Sequence, residues 1–546
     1  MKHRFLAVGS ILVLSGAAVR GEAPQASPLA PTLTGLGDQH FAVTTASPAA
    51  QAFFDQGLRL LYAFNHAEAL RAFQEAARLD ARCAMAYWGQ AQALGPNVND
   101  FALGPDRRAR ARAATQEAQR RKAGVSAREA ALIDALARRS SSDPAVEQAA
   151  LDAAYAAAMG EVARRFPDDP DVGVLYAAAV METMPWNYWT PDGGFKPEAL
   201  PALQALERVI ARNPNHAGAL HFHIHLVEGS REPQRAEASA DRLAPLMPSA
   251  GHIVHMPSHI YMRIGRYADS IELNQRAALA DEDYLAQCQA QGIYPVGYYP
   301  HNVHFIWYGA TMDGRSALAI EAARKVEEKV PHHVAGQASW TFDYPVTTLY
   351  AYVRFGRWEQ VLTEPAPPPT ALYASAIWHY ARALAFTARG QLDRARRDQS
   401  AFLENKADAA FKAPPLSETF LPGNLEIAGR VIDAEIAAHE RRFEDAARLA
   451  GEAVALQDGQ AYNEPPFWPY PTRHTLGAIL LEAGRPDEAA RVYAADLARN
   501  PENGFSLFGL EASLRALGRE DEAGSVLLRF RKAWARADVT LTSSRF

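Results

Sequence analysis

Histidines are concentrated between positions 217 and 308, in the segments AGALHFHIHLVEGS, GHIVHMPSHIYMRIGRY and PHNVHFIWYGATMDGR. Each segment contains a pair three or four positions apart, and the pairs are His221/His225, His255/His259 and His301/His304. On an α-helix, residues at these spacings share one face. Neutral imidazole is a common ligand of zinc, copper, iron and nickel. Three such faces turned toward one another would therefore form a transition-metal site.

The donor types narrow the choice of metal and leave the chemistry open. Ligation by histidine without cysteine favours copper or zinc, and Glu228 adds iron as a candidate through a mixed histidine/carboxylate site. Six helical histidines in two sets of three are also the ligand count of type 3 dicopper proteins, an analogy of number only. A closed site would serve structure or sequestration, whereas an open position would allow hydrolytic or oxidative chemistry. The sequence does not decide whether the protein is an enzyme, and no GxSxG, HExxH or P-loop motif offers another catalytic centre.

A 34-residue repeat positions these helices. In PYPTRHTLGAILLEAGRPDEAARVYAADLARNP, counting from Tyr470 puts small residues, an aromatic and a proline at places 8, 15, 20, 24 and 32, and Gly518 recurs 34 residues after Gly484 (518 − 484). This pattern resembles the tetratricopeptide repeat (TPR) family. The resemblance implies an all-α fold, a right-handed TPR-type superhelical solenoid of about ten helical hairpins.

The same frame starts repeats at Ala217 and Gly251, 34 residues apart (251 − 217), and again at Pro300. The resemblance implies that the second, fifth, ninth and twelfth places of each first helix line a shared concave groove. Histidines occupy the fifth and ninth places of the first two repeats and the second and fifth of the third. The predicted metal ligands are His221, His225, His255, His259, His301 and His304. Further candidates in the groove or behind the ligands are Glu228, His252, Trp186, Tyr188 and Tyr308.

A metal-free alternative uses the same groove. Such grooves bind peptides or partner proteins, and here the histidines would make polar contacts beside the aromatic residues around Trp186. A purely structural role as hydrogen-bonded core residues suits one histidine better than six. His223 is out of step with its neighbours and is expected to pack against the next helix.

Composition excludes some classes of function. A formal net charge of −6 over 546 residues is mild, and no basic stripe follows the groove, so nucleic acid is not an expected partner. The two cysteines, Cys83 and Cys288, are expected to be buried small apolar residues, with a disulfide in an oxidising periplasm as the alternative. The oligomeric state is open.

The N-terminus predicts export. Lys2, His3 and Arg4 precede an apolar run at 5–19, and small residues at 21 and 23 offer a cleavage site. This run is too short for a comfortable membrane span, so the protein is expected in the periplasm or secreted. The segments GHIVHMPSHIYMRIGRY and PENGFSLFGLEASLRALG are also similar to a group of exported bacterial TPR proteins of unsettled activity.

The predicted organisation has six parts. They are a signal peptide (1–23), a linker or arm (24–48), N-terminal helical repeats with an aromatic loop at 185–197 (49–216), histidine-rich hairpins (217–333), C-terminal repeats (334–538) and a tail (539–546). The tail is expected to fray.

Overall fold

The computed structural model describes residues 28–143, 145–288 and 294–546. The predicted signal peptide at 1–23 lies outside these residues. The described chain is helical, and its β-structure is limited to isolated bridges at Asn97/Asp100 and Trp189/Phe195. Successive helices pack against one another along the chain. The predicted fold class, an all-α TPR-type solenoid of helical hairpins, is confirmed.

The helices fall into three groups. Before the histidine segments lie α1 (Pro48–Tyr62), α2 (His66–Leu79), α3 (Ala84–Leu94), α4 (Pro105–Arg120), α5 (Ala127–Ala137), α6 (Gln148–Arg165), α7 (Pro170–Met181) and α8 (Leu200–Arg212). The histidine segments hold α9 (Ala217–Val227), α10 (Glu237–Leu243), α11 (Gly251–His255), α12 (Pro257–Arg263), α13 (Tyr267–Cys288), α14 (Tyr299–Met312) and α15 (Ser316–Lys329). After them come α16 (Thr347–Arg354), α17 (Trp358–Thr363), α18 (Leu372–Ala388), α19 (Leu392–Lys406), α20 (Leu421–His439), α21 (Phe443–Asp458), α22 (Thr472–Glu482), α23 (Pro486–Arg499), α24 (Gly504–Ala516) and α25 (Glu520–Ala533).

Glycines end the first helix of six hairpins, and these include the glycines that set the repeat frame. Their φ angles lie between 59° and 81°, in the left-handed region that side chains with a Cβ rarely adopt. The six are Gly265, Gly314, Gly356, Gly390, Gly484 and Gly518. The chain therefore turns at the places that the repeat pattern assigns to turns.

Helix α9 is buried along its whole length. Every residue from Ala217 to Val227 is buried, as expected for a helix that is apolar around most of its circumference. His216 caps the helix, since its Nδ1 accepts from Ala219 N at 3.2 Å and its Nε2 lies 3.2 Å from Asp171 Oδ1. The histidines on α9 consequently face other helices rather than solvent.

The apolar core has two large parts. One holds the N-terminal helices and α9 to α12, and the other holds residues of α13 to α21 together with Trp468 and Tyr470. His225 contacts Phe64 of the first part, and His255 contacts Phe305 of the second, with ring centroids 5.5 and 4.6 Å apart. The histidine segments lie where the two parts meet.

The described part of the N-terminal arm, from residue 28, packs on the first helices. Phe41 is buried, and Thr44 donates its hydroxyl proton to Glu129 at 2.6 Å. The two cysteines lie apart from each other and form no disulfide, with Cys83 buried and Cys288 half-buried. Within the described residues, no helix is both long and apolar enough to cross a membrane.

The C-terminal tail is docked, contrary to the expectation that it frays. Ser544 donates to the His474 carbonyl at 2.8 Å and lies 2.7 Å from the Tyr493 hydroxyl. Arg545 pairs with the buried Glu435 at 3.2 Å, and Phe546 contacts the Trp358 ring. Polar residues of the C-terminal repeats bind the tail. The Ser/Thr-rich composition of the tail did not indicate these contacts.

Candidate metal centre

The first group of histidines comes from α9 and α11. One nitrogen each from His221, His225 and His252 lies within 4.8 Å of the others, and the Nε2 atoms of His221 and His252 are 3.2 Å apart. All three side chains are at most 3% exposed. We call this group the first triad.

The second group comes from α11, α12 and α14. One nitrogen each from His255, His259 and His301 lies within the same 4.8 Å limit, and the Nε2 atoms of His255 and His259 are 2.6 Å apart. The first two side chains are buried and His301 is half-buried. We call this group the second triad.

The histidines of both triads occupy equivalent places in the repeat. Each takes the fifth and ninth places of one repeat and the second place of the next. In the first triad these places are His221, His225 and His252. In the second they are His255, His259 and His301. His252, predicted only as a further groove residue, therefore stands with His221 and His225.

His304 lies apart from both triads. Its ring stacks on Trp307 and packs against Tyr344, with centroids 4.7 and 4.4 Å away. His223, which the pattern placed out of step, lies 2.9 Å from the Ser239 hydroxyl through Nδ1. The structure brings together five of the six predicted ligands, adds His252, and leaves His304 outside.

Hydrogen bonds behind the rings fix the tautomers of His221 and His255. His221 Nδ1 lies 2.6 Å from the Tyr62 carbonyl, which can only accept, so this nitrogen carries the proton. His255 Nδ1 donates in the same way to Asn274 Oδ1 at 2.6 Å, since the amide nitrogen of Asn274 donates to Ser258 Oγ at 2.7 Å. In a neutral imidazole the other nitrogen, Nε2, then carries the lone pair. Both lone pairs point into the triads.

Glu228 links the two triads from behind. This residue follows α9 and is buried, with Oε1 3.0 Å from His225 Nδ1 and Oε2 2.7 Å from His259 Nδ1. Donor atoms of these three residues also lie within 4.8 Å of one another. Arg263 donates to the Glu228 carbonyl and to the Ser230 carbonyl, which holds the end of α9 in place. One carboxylate thus contacts one histidine of each triad.

Glu464 is a further acidic residue at the centre, and sequence reasoning missed it. It lies in the loop of residues 459–471 between α21 and α22, is 6% exposed, and contacts His259 Nδ1 through Oε2. The residue is 205 positions from His259 (464 − 259) and holds no groove place in the repeat frame, so nothing in its local sequence signals this contact.

Burial keeps the imidazoles neutral. It lowers the pKa of His225 and of His255 to about 3. The pKa values of the other four members of the triads also fall well below the ordinary value, first through burial and then through neighbouring imidazoles. Burial raises the pKa of Glu228 and of Glu464 well above the usual range. At neutral pH the histidines are therefore free to ligate without first losing a proton.

Aromatic rings pack around the first triad, and two of the residues that carry them have unusual backbone angles. Phe64 stacks on His225 at 5.5 Å, and Trp186 meets the same ring edge-on at 5.7 Å. Their φ angles are 55° and 60°, a strained region for bulky residues. The backbone is held in these conformations where both side chains contact His225, which identifies the surroundings of this ring as a constrained part of the fold.

The remaining candidates lie farther from the rings. Tyr188 is buried and packs edge-on against Trp189, so it supports the loop at 185–197. Tyr308 is buried on α14, and burial raises the pKa of its hydroxyl group. Neither residue has a ring contact with the histidines.

The arrangement offers two sets of three imidazoles with a carboxylate behind them. Three nitrogen ligands leave a fourth position of a tetrahedral ion for water, a carboxylate or a substrate. The predicted groove is enclosed at this point, because most of the histidines are buried. A site of this kind suits small ligands.

Comparisons with known proteins identify neither a family nor an activity for this chain. The sequence matches no protein-family model and no curated protein. Among solved structures, the human IFIT1 dimer with m7Gppp-AAAA aligns over 90% of this chain and 91% of that chain, at 13% identity and a TM-score of 0.29. Yeast Tom70 aligns over 88% and 96%, at 12% identity and a TM-score of 0.28.

Proposed function

We propose that this protein is an exported metalloprotein that binds transition-metal ions at its two histidine triads. The observation that carries the proposal is the pair of fixed tautomers. The Tyr62 carbonyl and the Asn274 amide each bind an Nδ1–H, which leaves the Nε2 lone pairs of His221 and His255 directed at other histidines. Metal-binding histidines are oriented in this way by acceptors behind them.

The donor set favours copper or zinc. Each triad supplies imidazole nitrogens only, which suit both ions. Iron stays a candidate through Glu228, which would add a carboxylate to His225 and His259. The two sets of three histidines support one ion per triad, hence two per chain.

A bound ion would supply Lewis-acid or redox chemistry at the fourth position of a triad. Residues of the chain exclude water from the site and orient the ligands. Phe64 and Phe305 pack against the rings and exclude bulk water. Glu228 orients His225 by a hydrogen bond at Nδ1 and lies 2.7 Å from His259 Nδ1. An open position would make the protein a metal-dependent hydrolytic or oxidative enzyme, whereas a site filled by protein ligands would serve binding alone.

Burial weighs against the metal-free scaffold as the role of these histidines. An extended peptide reaches side chains that line an open groove, but five of the six imidazoles in the triads are at most 3% exposed. Pull-down of a partner that survives both chelator and His255→Ala would favour the scaffold. Loss of the partner under both conditions would tie binding to the metal.

Export is part of the proposal and rests on the basic and apolar residues at positions 2–19. Fractionation of cells that produce the full chain tests it. Recovery of a shortened protein outside the cytoplasm is expected, and a full-length cytoplasmic protein would contradict export.

Elemental analysis tests the metal proposal. Protein isolated from its native compartment, and stripped protein reloaded with Zn²⁺ or Cu²⁺, should hold about two ions per chain, one for each triad. The double variant His255→Ala, His259→Ala should hold about one. His223→Ala removes a buried histidine outside the triads and should hold two. A folded wild-type protein without stoichiometric metal in both preparations would refute the proposal.

A further inference from the structure

The loop of residues 459–471 carries a buried carboxyl group beside the histidines. Both oxygens of Glu464 are buried, and the residue is 6% exposed. An acidic group in such a place is unfavourable unless something binds it. The neighbouring Arg263 is engaged by the carbonyls of Glu228 and Ser230. Glu464 faces His259 and the carboxyl group of Glu228, with which it shares a hydrogen bond.

Other residues anchor the loop on either side of Glu464. Tyr462 packs edge-on against Trp189 at 5.4 Å, and Arg263 lies over the same tyrosine ring at 5.2 Å. Farther along, Trp468 is fully buried, and Asn424 donates to the Phe467 carbonyl at 2.7 Å. These anchors deliver the carboxylate from the C-terminal repeats to the histidines of the earlier repeats.

The two nitrogens of His259 face different groups. Nε2 lies 2.6 Å from His255 Nε2, within the second triad. Nδ1 lies 2.7 Å from Glu228 Oε2 and in contact with Glu464 Oε2, but without the alignment of a hydrogen bond to either. An ion bound at Nε2 requires the lone pair there, which places the proton on Nδ1. That proton then has carboxylate oxygens beside it as acceptors.

We infer that Glu464 is a positioning residue for the second triad, acting through His259 Nδ1, and that metal loading of this triad latches the loop 459–471 over the centre. The inference rests on the proposed metal binding and adds a link between that site and the C-terminal repeats. Because coupling is reciprocal, closure of the loop strengthens metal binding as much as the metal strengthens closure.

Two matched changes in the loop test this. Glu464→Leu removes the acceptor while filling the space, and Glu464→Gln keeps an oxygen that can accept. The control is Tyr462→Phe, which keeps the ring on Trp189 and removes a hydroxyl that has no hydrogen-bond partner. The probe is Zn²⁺, with its affinity measured by competition against a chelator and loop opening followed by amide hydrogen exchange of residues 459–471.

In the wild type and in Tyr462→Phe, Zn²⁺ should slow exchange in the loop. In Glu464→Leu that protection should disappear, and the affinity of one of the two ions should fall about 10- to 100-fold, with Glu464→Gln between. A purely structural role for Glu464 predicts faster exchange with and without Zn²⁺, and an unchanged ratio between the two.

Failure of the inference is distinct from failure of the metal proposal. If the wild type binds two Zn²⁺ ions, and Glu464→Leu binds them equally well with the same loop protection, the latch is refuted and metal binding stands. If the folded wild type binds no Zn²⁺, both are refuted. An unfolded Glu464→Leu protein leaves the decision to Glu464→Gln, whose metal affinity and loop protection must then both fall below those of Tyr462→Phe.

Discussion

The Nε2 atoms of His255 and His259 are 2.6 Å apart across the end of α11 and the start of α12. Pro257 stands between them and interrupts the helix because it has no backbone N–H to donate. Both rings still lie on one side, as the four-residue spacing predicted. Two nitrogens this close in a buried place need a proton or a cation between them.

Asn274 fixes which nitrogen of His255 is available, so its removal should weaken the second triad. Asn274→Ala should lower the affinity of that triad for Zn²⁺ about 10- to 100-fold, because the ring loses the acceptor that orients it. Competition with a chelator measures the change. Asn302→Ala removes another buried amide, one that donates to Asp281, and should leave metal affinity unchanged. Equal losses in the two variants would show a general effect of destabilisation.

The metal-free protein should lose stability as the pH falls from about 6.5. The folded state holds the pKa of His225 and His255 near 3, so below 6.5 the unfolded chain binds more protons and is favoured. Each such histidine contributes about 1.4 kcal/mol per pH unit. The raised pKa values of Glu228 and Glu464 act in the opposite direction, but six histidines of the triads outnumber two carboxyl groups.

Urea denaturation of the stripped protein at pH 7, 6 and 5 measures this dependence. His255→Gln should flatten the curve, while His439→Gln, which changes an exposed histidine on α20, should leave the slope as it is. A midpoint that stays constant between pH 7 and 5 would contradict neutral, buried imidazoles.

Trp186 should report copper in the first triad. Its ring meets His225 edge-on at 5.7 Å, close enough for a bound Cu²⁺ ion to quench its fluorescence by electron transfer. Trp186→Phe should therefore reduce the fraction of emission quenched by Cu²⁺, whereas Zn²⁺ should quench neither protein. Trp378→Phe is the control, since Trp378 lies on α18 and its indole donates to the backbone carbonyl of Glu364. Identical quenching in both variants would place the ion elsewhere.

Deletion of residues 543–546 should destabilise the C-terminal repeats. The deletion removes Arg545 and leaves Glu435 buried without its cation, a loss of about 3–5 kcal/mol for a buried pair. Thermal denaturation and hydrogen exchange in α20 and α22 measure it. Adding Glu435→Gln to the shortened chain should restore part of the stability, because no unpaired charge then remains. An unchanged midpoint on deletion would mean that the tail adds nothing.

The repeat pattern predicted the faces of the histidine helices because a 34-residue register fixes which side chains point inward. This is why the fifth and ninth places of two repeats, found from glycines and a proline alone, bring His221, His225, His255 and His259 together. Of the two histidines at the second place, His301 was predicted as a ligand and His252 only as a further groove residue, although each completes a triad. A register gives the face of a helix but not the distance to the next repeat.

Residues outside the register could not be found in this way. Phe64 lies in a short turn after α1, and Glu464 in a loop two hundred positions from its histidine partner. Their places depend on how the solenoid folds over on itself, which is a long-range property. The docked tail has the same origin, because its partners His474 and Glu435 lie on helices far earlier in the chain.

Each triad takes its histidines from two neighbouring repeats and so lies at the boundary between them. The number of metal ions that such a protein can bind therefore depends on its number of repeats. Every further repeat stacked in register adds one boundary and hence room for one more ion. The next boundary already has His304 at the fifth place, with Tyr308 at the ninth and Asp343 at the second place of the following repeat. Histidines in place of Tyr308 and Asp343 would complete a third set of three histidines. The number of ions bound by that variant would show whether a boundary between repeats is enough to make a site.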